Sequence, residues 1–245
     1  MASHQLEICA QSVADVIAAT RGGADRIELC SALDCGGLTP SAALVAHARD
    51  ATRLPLFVLI RPRPGGFTYD AAEWELVLDD ATRCIDAGAD GIVAGALTPT
   101  GDLEHAQIGR LKQRLGSTPL TLHRAFDHVR DAQAALEIAC SLGCSRILTS
   151  GGAARAIDGA GPLAELVARA GPRLTILAGG GVRADHVRAL IAASGVREVH
   201  SSARAARRIP MHPAGAGLDL AEYGRCDHCV DATSVAALRA ALDAG

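Results

Sequence analysis

Aromatic side chains are nearly missing from this chain: three Phe, two Tyr and one Trp amount to 2% of its 245 residues. Hydrophobic residues still make up 49% of the composition, so the core has to come from Val, Ile, Leu and Ala, which suits stacked strands under close-packed helices. Lysine is scarcer still. Lys112 stands alone, on a helical stretch, and Schiff-base chemistry is excluded. No run of five or more basic residues occurs. The densest stretch, residues 204–208, reads as a solvated loop, so no nucleic acid is expected as a partner. The formal charge is close to balanced at −3. No apolar run approaches the ~18 residues that a membrane crossing needs, and no charged N-terminal segment leads into an apolar stretch. These features predict a soluble, cytoplasmic protein with no membrane partner, its eight cysteines reduced thiols rather than a disulfide framework.

What the chain does contain is a repeated phrase. Gly22-Gly23-Ala24-Asp25-Arg26-Ile27-Glu28-Leu29-Cys30 returns as Gly88-Ala89-Asp90-Gly91-Ile92-Val93-Ala94. A weaker copy is Gly143-Cys144-Ser145-Arg146-Ile147-Leu148-Thr149. In each, a glycine can end a helix in the left-handed conformation, and the apolar run that follows is too short for a helix but right for a buried strand. Three copies, spaced by about one helix plus one strand, imply a repeated βα unit. Strands are predicted over 6–9, 26–30, 56–61, 91–97, 120–126, 146–149, 174–178 and 198–203. Helices are predicted over 12–21 with Ser12 as cap, and to about 51 from a Thr39 cap with Pro40 in the first turn. Further helices are placed over about 71–87, around 108–115, over 132–142 and over about 232–241. The pattern predicts one α/β domain over 1–245, a single (β/α)8 barrel of the TIM type, with a long irregular loop at about 204–230. An open dinucleotide-binding sheet would need its glycine fingerprint after the first strand, which has none, and no organic cofactor is expected.

Alternation along the strands assigns the faces. Glu7 and Cys9 lie opposite Leu6 and Ile8, and Glu28 and Cys30 lie opposite Ile27 and Leu29. Barrel helices cover the aliphatic outer face, so both Glu-x-Cys pairs point inward. Arg61, His123 and His200 end the inner faces of strands three, five and eight. Barrel sites form at the C-terminal ends of the strands, so two acids, two thiols, an arginine and two histidines are expected in one mouth. Repulsion between Glu7 and Glu28 would raise one carboxyl pKa and yield an acid beside a base or nucleophile. Arg61 would hold a negative group or substrate hydroxyls, with Arg124 and His200 beside it. His123 would relay protons, and Asp127 would orient His123 or Arg124. Ser150-Gly151-Gly152 and Gly180-Gly181 would offer backbone N–H groups to an oxyanion, the alternative being plain tight turns. The alternative for the charges is a buried network that satisfies itself, for example Glu28 paired with Arg61. Cys226-Asp227-His228-Cys229 has the spacing of half a zinc site, which His212 or His228 could complete, of a redox pair, or of an exposed loop with incidental thiols. Cys84, Cys140 and Cys144 read as small core residues.

With these residues in place the chain resembles the CutC family of copper homeostasis proteins. The resemblance rests on Leu6-Glu7-Ile8-Cys9, on residues 21–31, and on Gly37-Leu38-Thr39-Pro40-Ser41. It continues through Ile60-Arg61-Pro62-Arg63, His123-Arg124-Ala125-Phe126-Asp127, Leu148-Thr149-Ser150-Gly151-Gly152 and Gly179-Gly180-Gly181-Val182-Arg183. It implies a (β/α)8 barrel, a homo-oligomer (dimer or higher) and copper binding, with Cys9 and Cys30 matching the family's copper-ligating cysteines. Soft thiolates select Cu(I). The segment Cys226 to Cys229 departs from the family's usual sequence. Two functions follow. One is copper homeostasis through Cu(I) bound at the mouth, which explains the thiols but not Glu7, Glu28 and Arg61. The other is an enzyme acting on a small sugar, glycoside or sugar phosphate, as a glycosidase-type hydrolase or an isomerase, by carboxylate acid/base catalysis.

Overall fold

The computed structural model describes residues 4–206 and 228–244. Eight parallel strands close into a barrel: β1 (Gln5–Ala10), β2 (Arg26–Leu29), β3 (Leu56–Leu59), β4 (Gly91–Ala94), β5 (Leu120–Leu122), β6 (Arg146–Thr149), β7 (Thr175–Gly179) and β8 (Glu198–Ser201), with β8 pairing back onto β1. Eight helices alternate with them: α1 (Val13–Arg21), α2 (Ala42–Ala51), α3 (Ala71–Asp86), α4 (His105–Leu115), α5 (Ala132–Ser141), α6 (Ala160–Ala170), α7 (Val187–Ser194) and α8 (Ala232–Asp243). This is the TIM-type (β/α)8 barrel that the repeat implies. Its outer layer is aliphatic as the alternation requires: Leu6, Ile8, Ile27 and Leu29 are fully buried between strands and helices. No helix among the described residues is long and apolar enough to cross a membrane.

The repeated phrase builds the same corner each time. Asp25 accepts the Leu6 N–H at 2.7 Å and returns its own N–H to the Leu6 carbonyl; Asp90 does the same to Leu56, at 2.8 Å each way. Each aspartate also takes an arginine from a helix, Arg239 of α8 onto Asp25 and Arg49 of α2 onto Asp90. The chain enters these corners through Gly23 (φ +90°) and Gly88 (φ +107°), where a side chain would be strained. In the weaker copy Ser145 keeps only the backbone half, donating its N–H to Leu120.

Several boundaries differ from the sequence reading. The cap of α2 is Ser41, which accepts the Leu44 N–H. Thr39 is instead hydrogen-bonded to both backbone groups of Arg61 and ties the loop to the end of β3. Strand β5 stops at Leu122, because His123 turns the chain into a 3-10 turn over Arg124–His128. Helices α6 and α7 complete the alternation at positions where the sequence pattern predicts no separate helix. The described residues of the expected irregular loop form two strands, β9 (Arg204–Ala206) pairing antiparallel with β10 (His228–Val230). The Val230 N–H reaches Asp15 in α1 at 2.9 Å, anchoring this hairpin to the barrel wall. Cys226, Asp227 and His212 lie outside the described residues.

Candidate functional site

The inner faces of β1, β2 and β8 carry the ionisable residues, and strand stagger sorts them by depth. In the register of the barrel Glu7 stands beside Arg26 and His200, and Cys9 stands beside Glu28. Glu28 is therefore one inward-facing layer closer to the mouth than Glu7. In the deeper layer Arg26 donates Nε to Glu7 and Nη2 to Glu198 at 2.6 Å, and Arg146 donates to the same Glu198 carboxylate at 3.0 Å. The Phe57 ring packs against both cations, with guanidinium carbons 5.3 and 5.1 Å from its centroid. Sequence reasoning missed Arg26. The signal was present, since Arg26 shares a strand face with Glu28 and Cys30.

Closer to the mouth stand Glu28, Cys9 and Cys30, and the His200 ring bridges from Glu7 towards Glu28. His200 Nδ1 lies 2.7 Å from Glu7 Oε1, and its Nε2 lies 3.8 Å from Glu28. Burial alone would raise the Glu7 pKa, but the Arg26 guanidinium and then His200 reverse this and hold it at about 2. Glu28 moves the other way. Burial pushes its pKa up, and the attraction of His200 only partly opposes this, with the Glu7 charge adding to the rise. Burial disfavours the His200 cation, yet Glu28 and Glu7 together raise its pKa. The two carboxyl groups do differ as an acid/base pair requires, although burial contributes more to the rise at Glu28 than repulsion from Glu7 does. Cys9 Sγ lies 3.5 Å from Cys30 Sγ, and that contact and burial push the Cys9 thiol up. Cys9, Glu28 and His200 each offer a donor atom within 4.8 Å of the others.

Above these residues the mouth opens into a cavity of about 1060 Å3. Of the predicted site residues, Cys9, Glu28, Arg61, His123, Arg124, His200, Gly180 and Gly181 line it. Glu7 and Cys30 are buried outside the lining, and Glu28 is its one carboxylate among the described residues. Arg61 does not pair with Glu28. Its guanidinium donates to the carbonyls of Cys35 (2.9 Å), Gly37 (3.0 Å) and Gly65 (2.7 Å) and packs on Phe67. His123, expected to relay protons, has one ring nitrogen already engaged by the backbone. Its Nδ1 accepts the Ala125 N–H at 3.2 Å, and burial, aided by the Arg61 charge, lowers its pKa to about 4. The neutral ring then carries its proton on Nε2, a buried donor that has no partner among the described residues.

The glycine-rich loop after β6 is not an open anion cradle, because the protein's own carboxylate fills it. Asp127 accepts the Ser150 N–H (2.9 Å), the Gly152 N–H (3.2 Å) and the Thr149 hydroxyl (2.5 Å), and it also takes Arg124 Nε at 2.7 Å. Asp127, Ser150, Gly151 and Gly152 lie off the mouth lining. Asp127 positions Arg124, as one of the sequence alternatives had it, and not His123. Gly151 is required for close backbone packing: a Cβ there would sit 2.5 Å from the Gly159 carbonyl oxygen, at a φ of +71°.

A closed barrel of eight parallel strands, with ionisable side chains on its inner face and a cavity at its mouth, defines a TIM-type barrel protein. The CutC family model matches residues 4–205, and the chain belongs to that family. It is 46% identical over 207 residues to the family protein CutC of Xanthomonas campestris pv. campestris (strain 8004), covering 84% of this chain and 86% of that one. It is 44% identical over 245 residues to the family protein CutC of Chromobacterium violaceum, covering 97% and 98%. The solved structure of Streptococcus agalactiae CutC, a protein named for copper homeostasis, superposes with a TM-score of 0.77 at 30% identity, covering 81% of this chain and 98% of that one. Thiamine phosphate pyrophosphorylase from Pyrococcus furiosus, at 16% identity and a TM-score of 0.59, shares the fold alone. The family match ends before Cys226.

Proposed function

We propose that the mouth of the barrel binds copper(I), with Cys9 and Cys30 as thiolate ligands and His200 as a third donor. The observation that carries this reading is the placement of Cys9 Sγ, 3.5 Å from Cys30 Sγ and within 4.8 Å of donor atoms of His200 and Glu28. Two thiols and an imidazole are a donor set suited to a soft cation, whereas the Glu28 carboxylate is a poor ligand for Cu(I). The Glu7 contact to His200 Nδ1 turns Nε2 towards Glu28 and the Cys9 thiol, and carboxylates commonly orient metal-binding imidazoles in this way. The copper homeostasis name of the Streptococcus agalactiae relative supports the same reading. Because the Cys9 thiol is pushed up, binding must release its proton, and affinity should rise with pH. Competition against a chromogenic Cu(I) chelator tests this. Cys9→Ser with Cys30→Ser should no longer compete, and Glu7→Gln should bind about 10–100-fold more weakly. Unchanged competition by the double variant would overturn the proposal.

The size of the cavity favours a second activity. About 1060 Å3 is far more than an ion requires and is suited to a small molecule. In this reading the protein is an enzyme acting on a small, oxygen-rich substrate, a sugar or sugar phosphate, with Glu28 as acid/base. Two-carboxylate glycoside hydrolysis needs a second acid on the cavity, and Glu7 is committed to Arg26 and His200 behind it. A single carboxyl group with a raised pKa is better suited to isomerase chemistry, taking a proton from carbon and returning it to the neighbouring carbon. The check is deuterium uptake from solvent into a panel of aldose and ketose phosphates, followed by NMR. Glu28→Gln should slow the exchange by about 100-fold or more, and an unaffected rate would sink this reading.

A further inference from the structure

We infer that the substrate of this mouth is a small organic anion, whose acid group docks on Arg61 and His123 at the Phe67 end of the cavity. The inference rests on the isomerase reading for its chemistry, but on separate residues for its evidence. Of the two glycine loops predicted to meet an oxyanion, the one after β6 is already filled by Asp127, while Gly180 and Gly181 line the cavity without adding a charge. The charged group that an incoming anion would meet comes from other residues.

Arg61 and His123 offer the place. Arg61 is only 6% exposed, and the groups around its guanidinium are neutral: three loop carbonyls that accept from it and the Tyr69 hydroxyl beside it. Among the described residues no carboxylate forms an ion pair with it, and its Nε has no hydrogen-bond partner. A buried cation is ordinarily compensated by an anion. Here the compensating charge is left for a ligand. His123, 5% exposed, adds the unpartnered Nε2–H. The two groups flank one ring: the Arg61 guanidinium carbon lies 5.1 Å from the Phe67 centroid, and the His123 ring centroid lies 5.0 Å from it. The wider lining repeats the sign. It carries Arg124, Arg183 and Arg204 besides Arg61, against Glu28 alone, on a chain whose net charge is −3. Arg124 and Arg204 are partly offset by Asp127 and Asp34, whereas Arg183 stands at the rim without a carboxylate partner among the described residues. Such a mouth concentrates anions and steers them inward. Leu59, Leu97 and Leu148 give the same cavity an apolar wall for a short carbon skeleton.

A phosphate ester and a carboxylate would use the same two donors, and two probes separate them. Isothermal titration calorimetry of the full chain with inorganic phosphate and with succinate should show binding of at least one at millimolar concentration. Phosphate alone would mean a phosphate ester; succinate, with or without phosphate, would mean a carboxylate. Arg61→Gln and His123→Phe should each weaken the bound probe by about 10-fold or more, the loss expected when a hydrogen bond to a charged group is removed. Since Arg61 also holds loop carbonyls, His123→Phe decides the matter if Arg61→Gln fails to fold. Absence of binding by either probe, or affinities that the folded variants leave unchanged, would overturn the inference. Binding is read without turnover, so a bound probe with no deuterium exchange would leave this subsite standing and remove the isomerase reading. Exchange without probe binding would do the reverse.

Discussion

Arg26→Met should lower the stability of the barrel by about 3–5 kcal/mol, the range measured when one partner of a buried ion pair is removed. Arg26 and Glu7 are both almost completely shielded from water, and Glu198 shares the same guanidinium. Methionine would fill much of the volume beside Phe57 but would leave Glu7 charged and facing only His200. The pH dependence carries the same signature. Glu7 has a folded-state pKa of about 2 against an ordinary 4.5, so its contribution is present above 4.5 and is lost as the pH falls towards 2. His200 has a raised pKa; its contribution is complete below 6.5 and disappears as the pH rises through its folded value. Urea unfolding across this range should show wild type losing stability on the acid side, and Arg26→Met should start lower with a flatter acid limb. Adding Glu7→Gln to the variant should recover part of the loss, because the stranded charge is then gone. A loss under about 1 kcal/mol would mean that the ionic layer is not structural.

Asp127→Ala should cost about 2–4 kcal/mol, since it removes an ionised acceptor from several donors at once and hydrogen bonds to charged groups contribute about 1.5–3 kcal/mol each. The Ser150 N–H is completely buried and would keep no acceptor, the Thr149 hydroxyl would lose its acceptor, and Arg124 would keep Ser150 Oγ but lose its carboxylate. Asp127→Asn retains one oxygen and should lose roughly half as much, about 1–2 kcal/mol. Thermal and urea unfolding of both variants give the comparison. Had Asp127 been the catalytic group that its position in the motif suggests, the alanine variant would fold normally and fail only in turnover. That pattern of results would return Asp127 to the active site.

The alternation of apolar and polar residues along β1 and β2 by itself determined which side chains face into the barrel, and the recurring Gly-Ala-Asp corners determined that a barrel would form. Both are local properties: a residue's side of a strand depends on its neighbours two positions away, and the corner needs only a glycine and an aspartate at fixed spacing. The same logic placed Glu7-x-Cys9 and Glu28-x-Cys30 on equivalent inner faces, and the sequence contains nothing that separates the two pairs. Tertiary structure separates them. The stagger between β1 and β2 sets Cys9 level with Glu28 and sinks Glu7 to the level of Arg26 and His200, the latter 193 residues away. Glu28 is left on the cavity, with Glu7 as a closed ion pair beneath it. The loop after β6 tells the same story. Its glycines are visible in the chain, but the carboxylate that occupies it comes from 23 residues earlier, out of a turn that the pattern of β5 did not reveal. Strand periodicity fixes the direction of a side chain, whereas its depth and partners depend on register and on loop closure across the barrel.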